Sequence, residues 1–269
     1  VVAGYLLAGG GMEYPNVTVI GNVDSKKTLQ TVIVHEVGHN WFYGLLGSNE
    51  REHPWMDEGI NSFYENEINH WINTQKKSTN SNKGLQIEGT KFLYPLTAKQ
   101  NEDQAIEGLS QDFTKINYGG IVYSKTATMF TYLQQYLGKD LFEKCMKSYY
   151  EQWHYKHPYP EDIQAIFEKE TNKKLDWFFE DGLNTTKKID FKIKNVKKEN
   201  TKTIVSIKNR TNFTGPAPIN ACIGDSVIET QWIEYPYEQQ AIFETENNLI
   251  NSYVIDAKAW MPDIELDNN

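Results

Sequence analysis

His35 and His39 stand four residues apart in the run Val32-Ile33-Val34-His35-Glu36-Val37-Gly38-His39. On a helix that spacing places both on one face, one above the other, where two imidazole nitrogens can reach a single metal ion. Glu36 leaves the same helix about 100° around from His35. It is badly placed to complete the ligand plane but well placed to lean over a water at the metal and act as a base. Further along, Trp55-Met56-Asp57-Glu58-Gly59 offers a carboxylate, Glu58. Two imidazoles and one carboxylate leave a fourth tetrahedral position open to water, the arrangement of catalytic rather than structural zinc. The expectation is one Zn2+ per chain held by His35, His39 and Glu58. The bland reading, two surface histidines on an amphipathic helix, fits poorly with the apolar run Val32-Ile33-Val34 directly before His35.

Two elements must position these groups. Asp24-Ser25 is a capping signal for a helix that begins near Lys27 and ends by Gly44 or Gly47. After the polar stretch Ser48 to His53, the residues Trp55, Met56, Ile60, Phe63, Tyr64, Ile68, Trp71 and Ile72 repeat with helical period. That predicts a second helix, fading at Asn73, with Glu58 in its first turns, followed by a solvated loop from Thr74 to Gly89.

Composition narrows the class. Aromatic residues make up 13% of the 269 residues, which argues against disorder, and the net charge of −9 argues against a nucleic-acid or anionic-membrane surface. No apolar run approaches the roughly eighteen residues of a membrane helix. The two cysteines, Cys145 and Cys222, are far apart with no C-x-x-C spacing and read as buried free thiols. The opening Val1-Val2-Ala3-Gly4-Tyr5-Leu6-Leu7-Ala8 lacks the charged start of a signal peptide and reads as a chain entered in its middle.

Upstream of the metal motif, Gly9-Gly10-Gly11-Met12-Glu13-Tyr14-Pro15 reads as a glycine turn leading into an extended segment that Val17-Thr18-Val19-Ile20 continues as a strand. Pro15 suits a sheet edge, and an edge strand facing a cleft can pair with an extended peptide. Gly-Gly-Met-Glu-Tyr-Pro, then His-Glu-Val-Gly-His, then Trp-Met-Asp-Glu-Gly together resemble the signature of the alanyl-aminopeptidase (aminopeptidase N) family of gluzincin zinc metallopeptidases, which also includes a leukotriene epoxide hydrolase. The resemblance implies that Glu13 binds the free amino terminus of a peptide substrate while Gly11 and Met12 supply backbone contacts. Tyr14 stands where that family commonly has Asn. Val122-Tyr123-Ser124-Lys125 is similar to the family's Val-Tyr-x-Lys-Gly, which implies that the Tyr123 hydroxyl stabilises the oxyanion, with Tyr118 as the other candidate.

By local signals, Ser124 caps an apolar helix reaching Leu137 and stopped by Gly138, so Tyr123 would stand just before a helix amino terminus. Asp140 to Glu143 has the form of a capping box opening a helix to about Trp153. His154 and His157 flank a proline-rich turn and read as surface residues, and further helices are expected over 161–170 and 175–179. From about Ile189 the texture changes to short β-branched runs at Phe191, Thr203, Ile219, Glu229, Gln240 and Ser252, the pattern of a small antiparallel β-sandwich, with Met261 to Asn269 as its final strand and tail.

The fold expected is α+β: a mainly helical, thermolysin-like catalytic domain with an amino-terminal edge strand over 1–187, and a β-sandwich over 188–269. The resemblance implies an amino-terminal β domain that precedes the catalytic domain and is missing from this sequence. The activity it implies is zinc-dependent removal of amino-terminal residues from peptides with a free amino terminus, with Glu36 as general base. A thermolysin-like endopeptidase, an epoxide hydrolase on the same scaffold and a zinc-binding but inactive interaction fragment remain alternatives at this point.

Overall fold

The computed structural model describes residues 1–6, 9–75, 93–244 and 249–265. Most of the stretch read as a solvated loop after the second helix lies outside the described residues, as does the end of the tail.

The chain opens with three short strands, β1 (Val2–Ala3), β2 (Gly11–Met12) and β3 (Val19–Ile20), in the order β1-β3-β2. The segment expected to run on as one strand folds back instead. Asn16 takes a left-handed conformation (φ 64°) and Val17 N–H donates to Tyr14 O, so β2 and β3 pair antiparallel with Met12 opposite Val19. That turn leaves Gly11 and Met12 on an edge of the sheet.

Helix α1 (Lys26–Gly38) is capped by Ser25, whose Oγ accepts Thr28 N–H at 3.0 Å. It ends at Gly38, well before the expected Gly44 or Gly47. The chain then turns sharply, through Tyr43 at φ 109°, and brings the Phe42 carbonyl back onto the ring of His39. A five-residue π-helical turn, Trp55–Gly59, leads directly into α2 (Ile60–Gln75). Gln30 of α1 donates to Asn69 of α2 at 2.8 Å, fixing the two helices side by side.

After α3 (Leu93–Lys99) and the short α4 (Lys115–Asn117), a second π-helical stretch, Tyr118–Lys125, runs without a break into α5 (Thr126–Leu137). Ser124 is therefore not a cap. It is buried inside a continuous helix with its hydroxyl turned to Gly119 O. Helix α6 (Lys139–Trp153) begins one residue before Asp140, and Glu143 pairs with exposed Lys139 rather than closing a capping box. Helix α7 (Pro160–Thr171) has Pro160 in its first turn and Tyr159 N–H donating to Asp162. A third π-helical segment, Trp177–Leu183, follows where a short helix was expected.

The strands expected from Phe191 onward form two three-stranded antiparallel sheets. One has β4 (Phe191–Glu199), β5 (Lys202–Asn209) and β8 (Ala241–Glu244) in the order β4-β5-β8. The other has β6 (Ala217–Ile223), β7 (Ser226–Ile233) and β9 (Ser252–Ile255) in the order β7-β6-β9. Met261 onward makes no strand among the described residues; Asp263 only forms an isolated bridge to Ile189. Cys145 and Cys222 are both buried and free.

One continuous apolar core joins the helices to the sheets. Phe130 of α5 sits at its centre, with ring contacts to Trp55, Phe63, Phe142 and Phe178. Tyr132, two residues on, faces the other way, its ring tilted against Trp177 and Phe213 and stacked on Trp232, while its hydroxyl donates to Pro216 O. No helix among the described residues is long and apolar enough to cross a membrane.

Candidate active site

Helix α1 presents His35 in its last turn and His39 at its C-cap, where His39 N–H still bonds His35 O and keeps the two rings in vertical register. The π-helical turn Trp55–Gly59 aims Glu58 at the same point. Glu58 Oε2 lies 3.0 Å from His35 Nε2 and 3.3 Å from His39 Nε2, and the two nitrogens are 3.1 Å apart. A tetrahedral ion about 2.0–2.1 Å from each donor separates its donors by about 3.3 Å. The three atoms thus already form a face of the right size.

The outer ring atoms are fixed too. His35 Nδ1 is 3.1 Å from Glu65 Oε2 and His39 Nδ1 is 3.0 Å from Phe42 O. Both acceptors favour a proton on Nδ1, so each Nε2, once it gives up its own proton, can turn a lone pair to the centre. Asn61 Nδ2 donates to His35 O at 2.8 Å, and Gly38 permits this approach, because a Cβ there would lie 2.0 Å from Asn61 Oδ1.

The charges at this point depend on one another. Burial works against charge on His35, yet the hydrogen bonds it donates to Glu58 and Glu65 outweigh it and raise its pKa to about 10. Burial likewise opposes ionisation of Glu58, but the two imidazoles hold it down at about 2. A nitrogen-nitrogen-oxygen donor set of this size suits zinc.

Glu36 is 6% exposed, and its Oε2 has no hydrogen-bond partner among the described residues. Burial pushes its pKa up to about 7, opposed by His35 and His39 and reinforced by Glu13 and Glu58. Gly11 makes room for it: a Cβ at residue 11 would lie 2.3–2.4 Å from the Glu36 side chain. Glu13, Glu36 and His39 each offer an atom within 4.8 Å of the others. Tyr123, in the second π-helical stretch, reaches across and donates to Glu58 Oε1 at 2.5 Å, with Tyr118 packed edge-on against its ring. Burial and the Glu58 charge both raise the Tyr123 pKa, so the phenol keeps its proton.

A cleft of about 1110 Å³ opens beside the cluster, lined by Glu13, Glu36 and His39 and, on the far wall, by His157 and Tyr159. His35, His39, Glu58 and Tyr123 are thus brought together with Glu36, Glu13 and Gly11, while Met12 lies on the adjoining edge strand β2. His157 was read as a surface residue; it is exposed, but as part of the cleft wall, with Nδ1 2.8 Å from Gly47 O. Sequence reasoning passed over Glu65, Asn61 and the Phe42 carbonyl. Glu65 had a signal, since it lies seven residues, two helical turns, after Glu58.

Residues 11–181 match the peptidase family M1 domain. The chain belongs to peptidase family M1. Family M1 relatives include aminopeptidase M1-B of Oryza sativa subsp. japonica, 24% identical over 160 residues, which are 58% of this chain and 17% of the relative. Leukotriene A-4 hydrolase of Xenopus laevis is 26% identical over 192 residues, 68% of this chain and 29% of that protein. The crystal structure of Legionella pneumophila aminopeptidase A in complex with aspartic acid superimposes with a TM-score of 0.63 at 14% identity, covering 97% of this chain and 31% of that one. The chain thus spans less than a third of the length of each of these proteins, and the last comparison shows shared fold.

Proposed function

We propose that this chain carries the catalytic centre of a zinc-dependent aminopeptidase that hydrolyses amino-terminal residues from peptides. The observation that carries the reading is the triangle of His35 Nε2, His39 Nε2 and Glu58 Oε2, 3.0–3.3 Å on its edges, with the buried Glu36 Oε2, unpartnered among the described residues, beside it. Residues 1–187 would perform the chemistry and residues 188–269 would support α5 from behind.

His35, His39 and Glu58 would hold the ion. When bound, zinc supplies Lewis acidity, polarising the scissile carbonyl and acidifying water at its open position. Glu36, poised near neutrality by its burial, takes a proton from the attacking water and delivers it to the departing amine. The Tyr123 hydroxyl passes its hydrogen bond from Glu58 Oε1 to the substrate oxygen that gains negative charge. Glu13, half-buried at the cleft wall, pairs with the substrate ammonium and so sets the distance from chain end to cleaved bond. Gly11 and Met12, on the edge of the β1-β3-β2 sheet, offer main-chain groups to an extended peptide.

The test is metal content measured with hydrolysis of paired substrates, free and amino-acetylated aminoacyl anilides. One zinc per chain and strong preference for the free amine are expected. Equal cleavage of both, or turnover untouched by chelator, would overturn the assignment.

A further inference from the structure

Away from the cleft, the second π-helical stretch ends on a buried cation that the proposed chemistry does not use. Lys125 is 3% exposed, and its Nζ has no hydrogen-bond partner among the described residues. It stands 4.5 Å from the centre of the Tyr94 ring, whose buried hydroxyl is also unpartnered. The charge of Asp103 acts on both Lys125 and Tyr94; one oxygen of that carboxylate pairs with Lys188, while Oδ2 is buried and unpartnered. Asn117 Nδ2 donates to Glu102 O at 2.8 Å and to Gln104 Oε1 at 3.0 Å, the two neighbours of Asp103. Burial lowers the Lys125 pKa to about 8, with Asp103 opposing the shift, so the ammonium stays mostly charged at neutral pH. A buried ammonium without an acceptor disfavours folding, and departures of this kind concentrate at functional sites.

These groups hold both ends of the Tyr118–Lys125 stretch, since Asn117 directly precedes it and Lys125 closes it. Long π-helical runs are rare, so the register of this one depends on what fixes its ends. Gly59, next to Glu58, lets the ligand turn press against the same stretch: a Cβ at residue 59 would lie 2.4 Å from Thr126 Cγ2 and 2.7 Å from Val122 O. Tyr123 and Lys125, two residues apart, point to nearly opposite sides. We infer that Lys125 is a positioning residue for Tyr123: its ammonium, seated over Tyr94 beside Asp103, keeps the stretch in the register at which the Tyr123 hydroxyl meets Glu58 Oε1. This inference rests on the reading in which that hydroxyl serves the substrate oxygen. Without the ammonium the stretch can relax towards α-helical pairing, which turns Tyr123 about the helix axis and away from Glu58.

Lys125→Met, nearly isosteric and uncharged, tests this in a double-mutant cycle with Tyr123→Phe. Alone, it should lower kcat about a hundredfold, as for a catalytic group displaced by about 1 Å, with KM and zinc content little changed and the melting temperature held or raised. In the Tyr123→Phe background the same substitution should cost almost nothing further, whereas in Glu13→Gln it should cost its full amount. A crystal structure of the metal-free variant gives a readout apart from turnover, in which the Tyr123 hydroxyl should have left Glu58 Oε1. Asn117→Ala, at the other end of the stretch, should show the same pattern and decides the matter if Lys125→Met does not fold. Unchanged kcat, a loss that adds fully to that of Tyr123→Phe, or a Tyr123 hydroxyl still on Glu58 overturns the role of Lys125 and leaves the Tyr123 reading standing. Wild-type kcat in Tyr123→Phe alone would overturn that reading and this inference with it.

Discussion

The hydroxyl of Tyr123 donates to Oε1 of Glu58 at 2.5 Å while Oε2 of the same carboxylate turns to both imidazoles, so one glutamate links the phenol to the candidate metal ligands. Tyr123→Phe removes that donor and keeps the ring. Turnover should fall about a hundredfold to a thousandfold, as for loss of one oxyanion donor, with zinc still bound. Wild-type kcat in a zinc-loaded variant would remove Tyr123 from the chemistry.

Glu65 acts one shell further out, through His35 Nδ1. Glu65→Gln should weaken zinc binding by roughly tenfold to a hundredfold, the usual cost of losing a ligand's carboxylate partner. Competition with a chromogenic chelator measures it.

The pKa of Glu36, raised to about 7 by burial, gives the pH profile a direction. A base must be ionised to accept a proton, so kcat/KM should fall as pH drops through neutrality and level off above it. Glu36→Gln should lose most turnover, abolish this acid limb and retain the tightly bound metal.

Gly11→Ala places a methyl group 2.3–2.4 Å from Glu36 atoms. The strand can hold alanine, so the base has to move instead. A displacement of about 1 Å at a catalytic group can cost about a hundredfold in rate, and the melting temperature should change little. Unaltered kinetics would show that Glu36 tolerates displacement.

Asp256 offers a test outside the site. Its carboxylate accepts Trp260 and Met261 N–H, and burial raises its pKa from 3.8 to about 7. Because the folded pKa lies above the unfolded one, Asp256 disfavours folding progressively as pH rises from about 4 to 7. Asp256→Asn cannot ionise, though it loses one of the two acceptors. Its Tm relative to wild type should climb across that window and run parallel outside it.

The candidate site residues were legible because local helical spacing places them: His35 and His39 on one face, Glu36 around the side, Glu58 at the head of the next helix. The π-helical turns were not, since a shift of one hydrogen-bond partner leaves no mark on hydrophobic period. The early end of α1 was also hidden. Trp41 and Phe42 continue an apolar run, and only the return of the Phe42 carbonyl onto His39 shows why the helix stops. The hairpin at Asn16 and the approach of His157 to Gly47 depend on a positive φ and on contacts more than a hundred residues apart, neither visible in a residue pattern.

The packing of Tyr132 against Phe213 and Trp232 has a consequence for biogenesis. A ribosome delivers the histidines and glutamates first and the aromatic rings that brace α5 last. The helices that carry the candidate ligands thus emerge before the rings that pack behind α5, and α5 gains that support only once the chain has run through Trp232.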